Sequence, residues 1–311
     1  MSVRRRHLWL GLLSFAFVCV FVLGAAVTAV AQNPAESSAG ATYDLVPRYQ
    51  VGQTSYYRLT ITLHLLADDQ TVMSRIQDSA DMQREVVEIR EDGSAVEKIT
   101  WKNYSRAEGQ SRTGPLGELE RAPWAEDFNY LFSAEDRHED FHWDYSAIPV
   151  SRMGDAFMVF TVNAHFEFDF LRSRFHGAID QLRRVGDSVP VPDTGRRIEI
   201  SLRATPVLWT FYKRDHTMTF QGLSECEGHP CAVLAFWTWM DVPVRLGEGD
   251  QRVERQGNSQ FDGHLYVDLR DGSLWRGDFN EWVTLPTLGP TGKELNRFYV
   301  EYRMERISPG A

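Results

Sequence analysis

Several signatures are missing from this chain. It has no Gly-x-Ser-x-Gly elbow, no phosphate-binding glycine loop and no dinucleotide fingerprint, so serine-elbow acyl transfer and nucleotide chemistry have no motif to stand on. Positive charge is also short: 33 Lys+Arg face 43 Asp+Glu. So acidic a surface repels phosphate backbones, which argues against nucleic acid as a partner. Cysteine is scarce, with three in 311 residues.

The amino terminus supplies what export machinery reads. Arg4, Arg5 and Arg6 precede an apolar run from Leu8 to Val30, and Ala29-Val30-Ala31 leads into Gln32-Asn33-Pro34. A basic region, an apolar region and small residues at a cleavage point predict a signal peptide over residues 1–31. The alternative is an N-terminal membrane anchor, because the run is long enough to span a bilayer. Either way the protein is exported, to the periplasm or beyond. Residues 32–42, poor in large apolar side chains, form a flexible leader. Cys19 falls within the apolar run, leaving Cys226 and Cys231 in an oxidising compartment, where a disulfide across a short loop is expected. A three-ligand metal site with His229 is the minor alternative.

What is abundant is β-pattern. Tyr57, Leu59, Ile61, Leu63 and Leu65 alternate with Arg58, Thr60, Thr62 and His64, the period-two signature of a half-buried strand with a wet face, on which His64 is solvated. Asp92-Gly93-Ser94 and Asp271-Gly272-Ser273 each separate β-rich runs and supply the positive φ of a tight turn. Ile198–Leu202, Val207–Tyr212, Thr217–Phe220, Ala232–Met240, Gln260–Leu269 and Arg297–Arg306 also read as strands. The run from Cys231 to Met240 is apolar on both faces through Trp237, so both should be covered, with the strand either central or lining an internal cavity. The aromatic segment 123–133 suits a short helix or turn. Leu171, Phe175, Ala178, Ile179 and Leu182 recur at helical spacing, predicting an amphipathic helix near 166–185 that closes at Gly186.

The expected fold is therefore mainly β (α+β): a large curved antiparallel sheet or half-barrel packed on that central helix. It forms one β-rich domain over 43–308, with two lobes meeting near 186–196 as the alternative. The order of elements and the opening strand Gly52-Gln53-Thr54-Ser55-Tyr56-Tyr57 are similar to the half-barrel carriers of bacterial lipoproteins and to exported β-rich bacterial proteins. That resemblance is architectural. It implies an apolar face that binds lipid or acyl chains without chemistry.

One string competes with this. His138-Glu139-Asp140-Phe141-His142 satisfies H-E-x-x-H and over five residues resembles the zincin metalloproteases. On a helix, His138 and His142 could share a zinc while Glu139 activates water. On a strand, the two histidines stand about 13 Å apart and Glu139 points to the opposite face. Phe141, Trp143 and Tyr145 alternate with polar residues and favour the strand. The leading expectation is a non-enzymatic envelope protein without cofactor that binds an apolar small molecule, a lipid or an envelope protein partner. Phe166, Phe170, Trp209, Phe211, Phe236, Trp237 and Trp239 are the candidate pocket walls. The alternatives are a zinc-dependent hydrolase and a structural module without a pocket.

Overall fold

The structure is a computed structural model that describes residues 40–67, 69–109, 115–123, 129–133, 139–142, 178–190, 196–202, 205–246, 253–286 and 295–309. The expected signal peptide and most of the leader lie outside them.

Among the described residues, thirteen strands make one antiparallel sheet. In the first half these are β1 (Thr54–Leu66), β2 (Val72–Ile89), β3 (Ala95–Gly109), β4 (Glu120–Arg121), β5 (Asn129–Ser133) and β6 (Glu139–His142). The second half contributes β7 (Ser188–Pro190), β8 (Arg196–Leu202), β9 (Thr205–Cys226), β10 (His229–Leu246), β11 (Val253–Asp268), β12 (Leu274–Pro286) and β13 (Leu295–Arg306). The order is β6-β5-β3-β2-β1-β13-β12-β11-β10-β9-β7, with β4 beside β3 and β8 beside β9. Two meanders are thus joined where β1 pairs β13, from Tyr57 opposite Arg306 to Leu66 opposite Arg297.

Alternation decides which face is core. On β1 Tyr57, Leu59 and Ile61 are buried, while Arg58, Thr60 and Thr62 lie on the other face. The buried face continues across Leu265, Phe279, Val300, Tyr302 and Met304. Arg58 holds Asp81 on the opposite face at 2.9 Å, and Asp278 and Arg303 lie on that face as well. Along this stretch charged and core side chains thus occupy opposite faces of the sheet.

Turn chemistry agrees with the sequence. In both Asp-Gly-Ser turns the serine N–H donates to the aspartate Oδ1, at 2.9 Å in Ser94 and 2.8 Å in Ser273. Gly93 and Gly272 take φ of 85° and 69°. Glu227 and Gly228, at φ of 47° and 83°, form the two-residue turn between β9 and β10. Just beyond it Cys226 and Cys231 are joined as a disulfide, which occupies both thiols and removes the metal reading with His229.

Four expectations need correction. Of the expected helix, residues 166–177 lie outside the described residues, and the remainder is not α-helical. Ile179–Gln181 is a single 3-10 turn, and the backbone N–H groups of Arg183 and Arg184 donate to Asp187 Oδ2 at 2.9 and 2.7 Å. That carboxylate competes for N–H groups a continuing helix would use. The apolar spacing reported burial rather than helix: Ala178, Ile179 and Leu182 are all in the core. Second, the aromatic segment is a strand over Asn129–Ser133, paired with β3. Third, β10 is not covered on both faces: Leu234, Phe236 and Met240 are buried but Trp237 is 38% exposed. Fourth, His64 is not simply solvated, because its Nε2 lies 3.2 Å from Glu301 Oε2.

Candidate functional site

The water-facing side of β10–β13 and β1 carries large aromatic rings where strands of this kind normally carry polar side chains. Register places Trp239, Gln260, Trp282, Tyr299 and His64 in one row across five adjacent strands. The row toward the disulfide end holds Trp237, Asp262, Asn280, Glu301 and Thr62. The row on the other side holds Asp241, Asn258, Thr284, Arg297 and Leu66. Trp237 and Trp282 are 38% and 46% exposed. Such a patch, apolar and interleaved with amides, is the informative kind of surface exposure.

The rings are held rather than free. Trp282 packs on Tyr299 with centroids 4.6 Å apart, and His64 lies 5.5 Å from Tyr299 on its other side. The Tyr299 hydroxyl donates to Asn280 Oδ1 at 3.0 Å. Burial, then the neighbouring carboxylates Glu301 and Asp262, push its phenol above the ordinary range, so it stays a neutral donor. Between Trp239 and Trp282 lies a depression of about 210 Å³ lined by Asn258, Gln260, Thr284 and Arg297 among others. This arrangement offers stacking faces flanked by neutral donors and acceptors.

The core face holds a polar stripe of its own. Ser259 Oγ and Tyr302 OH each donate at 2.6 Å to one oxygen of the buried Glu281 carboxylate. Thr238, fully buried on β10, has no hydrogen-bond partner for its Oγ1 among the described residues. Farther along, Arg84 and Glu97 form a buried pair at 2.6 Å, with the guanidinium over the Phe132 ring. Burial pushes the Tyr104 phenol well up, next to the Asp78–Arg106 pair.

The sequence-derived candidates separate. Phe236 faces the core with Phe279, 6.1 Å between ring centroids, whereas Trp237 and Trp239 stand on the opposite face. The pleat therefore divides what was expected to wall one pocket. Trp209 and Phe211 lie on β9 opposite β8 residues Ile198 and Arg196. Phe166, Phe170 and His138 lie outside the described residues. Glu139 and His142 are the two ends of β6, paired with Leu131 and Asn129. The backbone from 139 to 142 is extended and lacks the helical turn that zincin geometry requires. Among the described residues no group of three His, Cys, Asp or Glu side chains could hold a metal ion.

Trp282, Tyr299, Asn258, Gln260 and Asn280 escaped the sequence reading. A signal was available: Asn280, Trp282 and Thr284 occupy alternate positions of β12, a strand missed beyond its opening turn.

No family model matches the chain. No curated protein matches it either. Among solved structures it is similar to OccK5 (OpdH) of Pseudomonas aeruginosa, at 8% identity and a TM-score of 0.24, over 83% of this chain and 99% of that one. So small a likeness relates neither fold nor activity.

Proposed function

We propose that this is an exported, non-enzymatic binding protein of the cell envelope, and that its ligand lies against the aromatic row Trp239, Trp282 and Tyr299. The observation that carries this is the exposure of Trp237 and Trp282 beside the polar residues Asp262, Asn280, Glu301, Asn258 and Thr284 on the water-facing side of the sheet. Leaving a large ring half in water forgoes burial worth on the order of 1 kcal/mol, which folding alone does not favour. Export is supported by the N-terminal pattern and by the disulfide, which suits an oxidising compartment.

The test is co-sedimentation of the purified protein with envelopes isolated from the organism that makes it. The wild type pellets with them, and a W239A/W282A double variant loses at least nine-tenths of that retention. Equal retention of the double variant would remove the row from the function. N-terminal sequencing of the exported protein, with a new terminus at Gln32, tests the signal peptide.

A second reading is an apolar or lipid-like ligand held on the core side. It is favoured by a half-open depression of about 260 Å³ at the edge of the core, where Val46, Pro47, Ala95, Phe132 and Ile179 lie beside Tyr49, Asp92, Ser94 and Glu97. That volume is below the ~300 Å³ at which ligand pockets usually begin. Displacement of a fluorescent fatty acid that is unaffected by W239A/W282A and abolished by I179W would support it.

A further inference from the structure

Resting on the aromatic-row reading, we infer that its occupant is an uncharged, extended polysaccharide strand. Three features of the face carry this. The first is spacing. Trp239 and Trp282 are separated by one strand, so their backbones stand roughly 10 Å apart at about 4.8 Å per strand. That matches the repeat of two β-1,4-linked pyranose rings, so alternate sugars can lay their C–H faces on successive indoles. Stacking a pyranose on an indole removes apolar surface from water on both partners.

The second feature is what lies between and beside the rings. Gln260 sits between the two tryptophans in register, with Asn258 and Thr284 on one flank and Asn280 and Asp262 on the other. Amide and hydroxyl groups both donate and accept, as ring hydroxyls require. An acyl chain would leave those groups unpaired on binding, at a cost for each.

The third feature is charge. Asp262 and Glu301 occupy the row next to the tryptophans, and Glu301 reaches His64 at 3.2 Å. Arg297, on the far flank, is the cation that lines the depression. Two carboxylates beside the stacking positions, on a chain of formal charge −10, oppose phosphate and anionic headgroups, a repulsion that a neutral ligand does not meet.

The experiment is intrinsic tryptophan fluorescence of the full exported protein titrated with hexamers of β-1,4-linked glucose and of N-acetylglucosamine. Vesicles of phosphatidylglycerol and a fatty acid are the competing probes. Saturable binding of either hexamer is expected, weakened at least tenfold in W239A and in W282A, and less than twofold in W275A, at the other end of the strands. Gln260→Ala should weaken binding several-fold without removing an indole. Failure of both hexamers to bind overturns the inference, and so does binding that W239A and W282A leave intact. If neither hexamer binds while W239A/W282A still abolishes envelope retention, the polysaccharide inference falls and the aromatic-row reading stands. If that retention also survives the double variant, both fall.

Discussion

Gly93 and Gly272 occupy equivalent places in two Asp-Gly-Ser turns, with φ of 85° and 69°. Their surroundings differ. Around Gly93 an added Cβ meets nothing within 4 Å. At Gly272 it would collide with the Val46 carbonyl and stand 2.8 Å from Pro47 Cα, because the segment leading into β1 runs over this turn. The backbone N–H of Arg48 donates to the Asp271 carbonyl at 2.9 Å, which fixes that segment in place. Placing an L-residue at left-handed φ costs roughly 1–2 kcal/mol, partly offset by about 0.4–1 kcal/mol from a stiffer unfolded chain. Gly93→Ala should therefore destabilise by about 1 kcal/mol. Gly272→Ala adds an overpacking cost of about 1–3 kcal/mol and strains a hydrogen bond worth about 1 kcal/mol, for a total of about 3–5 kcal/mol. Urea denaturation followed by far-UV circular dichroism gives both values on one scale, with the m value unchanged. If the two variants agree within about 0.5 kcal/mol, the lead-in segment is not seated on this turn and the argument from contact is wrong.

The other stability predictions use different physics. Asp268 is fully buried; burial raises its carboxyl, but the Arg270 hydrogen bonds and the Arg270 backbone N–H outweigh this and hold it below its ordinary value of 3.8. A depressed folded value means stability that is present above the unfolded value near 3.8 and lost as pH falls through the folded one. Unfolding free energy measured from pH 5 to 2 should drop less steeply in Asp268→Asn, and identical slopes would refute the assignment. Removing one partner of the buried Arg84–Glu97 pair, as in Glu97→Ala, should cost about 3–5 kcal/mol. The apolar double variant R84M/E97L should recover most of it, so a double variant as unstable as the single one would contradict this account. Gly263 lies opposite Phe279, and a Cβ there would collide with the Phe279 Cβ and the Asp278 carbonyl. Gly263→Ala should cost about 3 kcal/mol in the same urea assay; a loss below about 1 kcal/mol would show that β11 and β12 separate easily.

Local patterns were legible in the sequence, and features set by distant partners were not. The alternation of β1, the two Asp-Gly-Ser turns and the cysteine pair each depend on residues within a few positions, and all appear as expected. The spacing of Ala178, Ile179 and Leu182 identified buried residues, but burial at helical intervals does not compel a helix when Asp187 captures the N–H groups of Arg183 and Arg184. Strand lengths were underestimated because partners extend them: β9 runs unbroken from Thr205 to Cys226 through two segments read separately. Counting the aromatics of 231–240 as one pocket ignored the pleat. The candidate row could not be assembled in advance, since Trp239, Trp282 and Tyr299 come together only through the pairing of four strands.

The two faces of β10 allow the demands of folding and of binding to be separated. Phe236 and Trp237 are neighbours in sequence, yet Phe236 is 4% exposed and Trp237 38%. Farther along the same side, β1 and β13 carry Arg58, Thr60 and Arg303, so the fold does not require a ring at every water-facing position. Phe236→Ala removes a core side chain and should cost about 3–5 kcal/mol. Trp282→Thr keeps a β-branched residue on a half-exposed position and gives up the packing on Tyr299, worth about 0.5–1.5 kcal/mol. Its total loss, including some apolar area, should stay under about 2 kcal/mol. Urea denaturation of these two variants, beside their retention on isolated envelopes, distinguishes a ring kept for the fold from one kept for a ligand. If Trp282→Thr destabilises as much as Phe236→Ala, the exposed tryptophans belong to the fold and the surface has no claim as a site. If it leaves the fold intact and abolishes retention, the polar pattern of that face explains why the rings stand out on it.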